Sequence, residues 1–503
     1  MTTSQAPQRA RAGLFRDSQR GQFARYPVAV SLAVAAIMFA VGAVVDLFDD
    51  ADVSLPFAIA AVVAGGIARL ELRAVPRPRA STAPAVLTMV TLAWVIAIAV
   101  AAVAHLIADA TDRIDTAVLE GAATSTTTAM TTLDLDAQPA GLLAFRALSQ
   151  WSAGLGALVV ALIVIPLVMG GQEFAGRGQS IHARTALLTG RTRGTQKLLI
   201  LYSGFTAVLV AAYLAAGMHI GDAFAFAMAT ASTGGLATTS SSLAELGAAE
   251  QWIAAAGMAV AGVNVGVLWW VLRNDREPVK RSTELKLYLA VLVLATAAVS
   301  LWFADAEVDA VRTAAVQVTS AMSTTGLTSV SWPTLDNGVQ TILVALLGIG
   351  AMAGSAGGGF RYLRMIEAFG FARRELTRQL HPTAIRVVRV NGRGVSERSL
   401  ERMTGYMVVF ILTGAIGAAA IALGDASVDP TSAVTMAISA LSTGGPFLGS
   451  TSVAELGWFS KLALSALMLL GRLSIYAVLV AIGNTVGRLL QFSSITWPSR
   501  GTQ

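Results

Sequence analysis

The sequence predicts an all-α polytopic membrane protein: a two-helix N-terminal hairpin, then four units of span, half-helix, polar loop and span in pseudo-fourfold arrangement about one axis. Three observations carry this. Of 503 residues, 55% are hydrophobic and 13% charged, with a mean hydropathy of +0.65, which excludes a soluble globular class. Apolar runs long enough to cross about 30 Å of hydrocarbon begin near residues 27, 55, 83, 140, 197, 251, 285, 339, 403 and 458, giving ten candidate spans. A short polar signature returns four times among them.

In chain order, residues 1–26 read as a cytoplasmic tail. The stretch "MTTSQAPQRARAGLFRDSQRGQFAR" is polar and basic, without the apolar core or small-residue cleavage site of a secretory signal. With 36 basic against 30 acidic residues the chain carries +6 and a pI near 9.9, and position assigns that excess to topology. Arg9, Arg11, Arg16, Arg20 and Arg25 precede the first span; Arg177, Arg184, Arg191, Arg193 and Lys197 lie between later ones. A third cluster holds Arg373, Arg374, Arg378, Arg386, Arg389, Arg393 and Arg398. The alternate connections are acidic: "DLFDDAD" (46–52), "ADAEVD" (304–309), and residues 222–250, which contain no Lys or Arg. This positive-inside alternation places both termini in the cytoplasm and removes any need for a nucleic-acid partner. Without cysteine there is no disulfide, thiolate nucleophile or Cys-ligated metal.

Residues 27–82 form an accessory hairpin closed by the acidic turn, with nothing polar inside it. The other eight spans pair into four repeats at 83–172, 196–273, 285–372 and 403–487, with a cytoplasmic connection at 373–402 and a cytoplasmic tail at 488–503. Each pair encloses one signature of the form [ST]-T-[GT]-[GA]: Thr126-Thr127-Thr128-Ala129, Ser232-Thr233-Gly234-Gly235, Ser323-Thr324-Thr325-Gly326 and Ser442-Thr443-Gly444-Gly445. Their fourth positions stand 106, 91 and 119 residues apart. Before each lies a segment too short to span: "DRIDTAVLEGAAT", "GDAFAFAMATA", "DAVRTAAVQVTSAM" and "DPTSAVTMAISAL". Each opens on Asp or Gly-Asp near the N-cap and reads as a re-entrant half-helix.

The residue types suit a dehydrated cation. Backbone carbonyls replace its water shell, glycine lets successive carbonyls turn toward an axis, and Ser or Thr hydroxyls add oxygens or brace the loop. Half-helices aim their partially negative C-terminal ends at the centre. Irregular backbone survives at this depth only where protein buries it or it lines water, so four such loops imply packing around one pore.

This organisation resembles the Trk/Ktr/HKT superfamily of potassium transporters over residues 83–487. "FRALSQWSAGLGALVV" (145–160) resembles the family's opening of the second helix in repeat one, and "GAMAGSAGGGFRYLR" (350–364) its Gly-rich interruption in repeat three. "RRELTRQLHPTAIRVVRVNGRGV" (373–395) is similar to its cytoplasmic connection, "LMLLGRLSIY" (467–476) to its last pore helix, and the first two spans to the extra hairpin of the Trk branch. The resemblance implies channel-like potassium uptake through a filter made of the four signatures, with Ala129, Gly235, Gly326 and Gly445 at the selectivity positions. It makes the stretch with Gly350, Gly354, Ser355, Gly357, Gly358 and Gly359 an intramembrane gate, against close helix packing of the small-xxx-small type. It makes Arg472, a mid-span charge, a positive barrier below the filter; the alternative is an arginine bonded to carbonyls of a neighbouring helix. It also implies a homodimer on a cytosolic nucleotide-binding regulatory subunit, which this chain does not itself contain. The Ala- and Arg-rich composition suggests a bacterial inner membrane.

Two departures stand out. The family has glycine, or serine in some sodium-conducting plant members, where this chain has Ala129, which leaves potassium preference, sodium permeation and weak selectivity open. An acidic residue that often follows the arginine is here Ser474. Catalysis has no basis: His105, His182, His219 and His381 read as isolated, and "GIGAMAG" follows no strand, so it is no dinucleotide site. A symporter coupled to protons or sodium is the other transport reading, and it would call for a titratable mid-span carboxylate that the pattern does not show.

Overall fold

A computed structural model of the chain describes residues 6–49, 53–74, 82–164, 191–303, 309–381, 387–449 and 451–493. Arg177, Arg184, Arg386, His182, residues 50–52 of the first acidic turn and 304–308 of the other lie outside those residues, as does the end of the C-terminal tail. The first helix, Ala6–Asp46, begins well inside the stretch read as a tail and carries Pro27 within it. It pairs with Ser54–Ala74, where Arg25 meets Glu71 at 2.7 Å. The hairpin is not wholly apolar. Asp46 is fully buried, accepts the Val53 N–H at 2.9 Å and takes the Gly141 N–H at 3.3 Å, tying the hairpin to the first repeat. A Cβ on Gly42 would stand 2.8 Å from Gly141 O, so glycine is what lets these helices touch. Phe39, Phe57 and Phe145 pack ring on ring beside that crossing.

Four repeats follow. Their outer helices are Ala83–Ile107, Arg191–Ala215, Thr283–Trp302 and Glu397–Gly424. Their half-helices are Ile114–Thr126, Ile220–Ser232, Ala310–Ser323 and Pro430–Ser442, of 13, 13, 14 and 13 residues. At 1.5 Å per residue that is about 20 Å, too short to cross the hydrocarbon. Asp309 and Asp429 are N-caps, taking the Arg312 N–H at 3.2 Å and the Ser432 N–H at 2.9 Å. The Ser432 hydroxyl also donates to Asp429, and these bonds hold its carboxyl below the ordinary value. In repeat two His219, rather than Gly221 or Asp222, caps the helix; in repeat one the cap is Arg113, without a side-chain bond.

The inner helices differ most from the sequence expectation. The first, Ala140–Val159, runs on into a π-helical turn at Val160–Val164. The second breaks by 104° between Ala248–Ala261 and Val265–Leu272, and the fourth by 107° at Ser474, between Trp458–Leu473 and the helix starting at Ile475. The third stops after Asn337–Ile349, passes through the glycine-rich stretch and resumes as Tyr362–Leu380. Among the described residues, seven helices are long and apolar enough to span unbroken, or nine if each bent pair is one span.

Closure of the ring is visible in which helices pack. The inner helix of each repeat lies against the half-helix of the next, from one to two, two to three, three to four, and four back to one. That cyclic order is the pseudo-fourfold arrangement. Within repeat one the half-helix presses so close to its outer helix that a Cβ on Gly121 would stand 2.7 Å from the Ala102 nitrogen. Gly121→Val is therefore expected to cost about 1–3 kcal/mol through overpacking. Its check is a lowered Tm of the detergent-solubilised protein.

A four-loop site between a glycine loop and an open cavity

Each half-helix ends at the first residue of its signature, and the threonine that follows is left-handed: Thr127 (φ 55°), Thr233 (φ 54°), Thr324 (φ 58°) and Thr443 (φ 55°). The third residue then reaches back to the helix. Thr128 N–H donates to Ala123 O at 2.9 Å, Gly234 to Ala229 at 2.9 Å, Thr325 to Ser320 at 3.0 Å and Gly444 to Ser439 at 2.9 Å. This is the Schellman arrangement, in which glycine is the usual left-handed residue. A β-branched residue there is strained, by about 1–2 kcal/mol. The strain recurs at all four corners. It frees the chain to turn inward while the helix-end carbonyls keep partners.

The fourth positions meet. A Cβ on Gly235 would lie 2.8 Å from the Ala129 methyl, and one on Gly445 would stand 2.6 Å from Ala129 Cα. Three of the four take positive φ: Gly235 at 61°, Gly326 at 88° and Gly445 at 108°. Ala129 does not. Its loop instead closes a three-residue turn, Met130 N–H donating to Thr128 O at 2.8 Å, and Ala129 N–H points to Gly444 O at 3.4 Å. The Cβ makes the left-handed conformation of the glycines costly, and the chain takes a turn with negative φ instead. Beyond the fourth positions opens a cavity of about 390 Å³, floored by Ala129, Gly235, Gly326 and Gly445 and walled in part by Trp332 and Phe447.

On the other side lies the glycine-rich stretch. Residues 350–361 are not helical, and Gly350, Gly354 and Gly359 take φ of 74°, 83° and 81°, so this is a broken helix and not small-residue packing. It lies against the signatures: Gly358 N–H donates to Thr324 Oγ1 at 2.8 Å, and a Cβ on Gly357 would sit 2.5 Å from Ser323 O. Gly358 would likewise be driven into Ser442 O by any side chain. Ser355 turns inward and bonds Met352 O at 2.6 Å. Arg472, 8% exposed, donates to Ala356 O at 2.8 Å and to Ala153 O at 3.3 Å. It is thus bonded to carbonyls of the glycine-rich stretch and of the first inner helix, as in the second of the two placements that the sequence left as alternatives.

Several residues that hold this site have no motif to announce them. Gln150 brackets the second loop, donating to Leu236 O at 2.9 Å and accepting Leu236 N–H at 3.1 Å. Ser320 and Ser439 take the Gly326 and Gly445 amides at 3.1 and 2.8 Å. Glu284, buried in repeat three, accepts Ala353 N–H at 2.7 Å and Leu363 N–H at 3.1 Å, pinning both ends of the glycine loop. Asn264, at the break in the second inner helix, donates to Ala353 O. One expectation changes: His105 is not isolated, since it lies 3.1 Å from Arg146. Two carboxylates are buried away from mid-span positions, Glu120 in the first half-helix and Glu284 in the first turn of the third outer helix. Neither carboxylate has a helical or spacing signature, and each is paired only across the fold. Glu120 meets Arg146 at 2.6 Å, and Glu284 meets backbone amides.

Thr127 and Thr443 hydroxyls are buried without a hydrogen-bond partner among the described residues. Replacing Thr443 by glycine removes left-handed strain and breaks no bond. Thr443→Gly is expected to gain about 1 kcal/mol net of glycine's backbone entropy, read as a raised Tm in detergent.

The family profile TrkH, a cation transport protein, matches residues 55–303 and 285–485. The Trk system potassium uptake protein TrkH of Escherichia coli (strain K12) is 29% identical over 416 residues, which cover 80% of this chain and 85% of that one. Trk system potassium uptake protein TrkI of Halomonas elongata is 27% identical over 468 residues, covering 90% and 94%. The crystal structure of the potassium transporter TrkH from Vibrio parahaemolyticus shares the fold, with a TM-score of 0.83 at 21% identity over 92% of this chain and 99% of that chain. On the profile match across both halves, this multi-pass membrane protein belongs to the TrkH family of cation transport proteins, on the Trk branch, a family of transporters and not of enzymes.

Proposed function

We propose that the chain is the pore-forming subunit of a potassium uptake system and passes the cation, channel-like, through a filter of four backbone loops. One observation carries the reading: four half-helix C-termini, each ending in the same strained threonine turn, converge between an open cavity and a glycine loop. Four negative helix ends and their carbonyls favour a cation there, and oxygens at the signature positions stand in for its water. The relatives, named potassium uptake proteins, support potassium as the cargo. Thr126 to Ala129, Ser232 to Gly235, Ser323 to Gly326 and Ser442 to Gly445 are the binding residues in this reading.

The glycine loop under the signatures acts as the gate, and Arg472 as both barrier and latch. Its guanidinium places a fixed positive charge below the filter and holds Ala356 O, so outward displacement of the loop needs that bond to break. Relatives that carry a system name support a larger assembly. Within it this chain is a homodimer seated on a cytosolic nucleotide-binding subunit. It sits in a bacterial inner membrane with both termini cytoplasmic.

Ala129 favours a second reading of selectivity. Its turn commits Thr128 O to Met130 N–H, and Ala129 N–H takes Gly444 O at 3.4 Å, so two of the four third-position carbonyls are engaged by the protein. Sodium permeation or weak discrimination follows from that geometry. The test is cation flux and reversal potential in proteoliposomes. Native protein is expected to carry potassium, and Ala129→Gly to raise the potassium-to-sodium permeability ratio by about tenfold, near 1.4 kcal/mol. No flux from folded protein would sink the transport reading. Arg472→Gln is expected to speed potassium uptake severalfold in the same assay, because the glycine loop loses its charged donor.

A further inference from the structure

Behind the first loop three ionisable side chains meet away from water. Glu120 and His105 are fully buried and Arg146 is 1% exposed. Arg146 Nη1 donates to Glu120 Oε2 at 2.6 Å and lies 3.1 Å from His105 Nε2. His105 Nδ1 stands 2.7 Å from Ala101 O, which only accepts, so Nδ1 carries the proton and Nε2 receives Arg146. The rest of the carboxylate serves the chain leaving the loop. Oε1 takes Thr132 N–H at 2.5 Å and the Thr132 hydroxyl at 2.9 Å, and the Thr131 hydroxyl lies 2.9 Å from either oxygen. Arg146 Nη2 reaches Thr131 Oγ1 as well, at 3.2 Å.

Repeat three shows the neutral version of this grip. Gln317 precedes Ser323 by six residues, as Glu120 precedes Thr126. Its amide donates to Val330 O at 3.0 Å and accepts Trp332 Nε1–H at 2.9 Å, holding its own loop four and six residues past Gly326. In repeats two and four Phe226 and Met436 occupy the place. Only the repeat whose fourth position is alanine uses a charge. Four donors converge on Glu120, the number a carboxylate can accept and twice what an amide oxygen can. A buried ion pair is an inefficient way to stabilise a fold. Here it fixes Thr131 and Thr132, two and three residues past Ala129.

We propose that Glu120, Arg146 and His105 are positioning residues for the cation pathway: they hold the first loop in its three-residue turn about Ala129 and so set ion discrimination without touching the ion. This rests on the four-loop filter reading above. The experiment measures the potassium-to-sodium permeability ratio and the uptake rate in proteoliposomes for the native chain, Glu120→Gln, Thr131→Val and Thr131→Ser. Thr131→Val removes the grip at the loop and leaves the buried pair in place, so it decides the matter if Glu120→Gln does not fold. Glu120→Gln and Thr131→Val are expected to shift the ratio by about tenfold relative to native, and Thr131→Ser, which keeps the hydroxyl, to follow the native ratio. A native ratio in folded Thr131→Val overturns the inference even if its Tm falls, because that is a purely structural role. A native chain that carries no cation overturns the filter reading, and this inference with it.

Discussion

Backbone that leaves helical hydrogen bonding inside a membrane must satisfy every N–H and C=O from within the protein. The whole ring answers that constraint. Each half-helix spends its terminal carbonyls in a Schellman cap. The amides beyond are taken by Ser320, Ser439 and Gln150, or by a carbonyl of the adjacent loop, as Ala129 N–H is by Gly444 O. The glycine loop is tied to itself by Ala351 N–H on Gly358 O at 3.2 Å and to four other elements through Glu284, Asn264, Thr324 and Arg472.

The strained threonines stand at the corners of this ring. A glycine at those corners would be cheaper in conformation, yet it would carry no hydroxyl into the site. Thr324 uses its hydroxyl to receive Gly358 N–H, and Thr127 and Thr443 leave theirs without a partner among the described residues. The strain at these corners is offset by the buried half-helices that hold them.

The four repeats are alike in backbone and unlike in bracing. Repeat one carries an ion pair, repeat three an amide, repeats three and four a serine on the fourth-position glycine, and repeat two a glutamine borrowed from repeat one. Pseudo-symmetry is therefore a property of the chain path, and each quarter of the ring has its own chemistry. The alanine turn sits in the quarter with the strongest brace, and the buried Lys461 of the fourth inner helix reaches across to Thr116 of the first half-helix at 3.0 Å to close the ring.

Sequence alone determined the class, the four units and the loop residues, because hydropathy, charge alternation and a fourfold signature are local patterns that repeat. It also marked Gly350 to Gly359 as a break, since three consecutive glycines cannot serve a helix, and Arg472 as a charge needing a partner. It missed the breaks at Gly262–Asn264 and Ser474, whose single polar residues look like ordinary helix interruptions until a 104° or 107° bend is required to bring the chain beneath the loops. Only tertiary structure decided that Ala129 takes a different turn from its three glycine counterparts, since a Cβ makes one conformation costly without naming its replacement. It decided, too, that Glu120, Arg146 and His105 are neighbours, being 15, 26 and 41 residues apart pairwise and joined by packing that no spacing rule encodes.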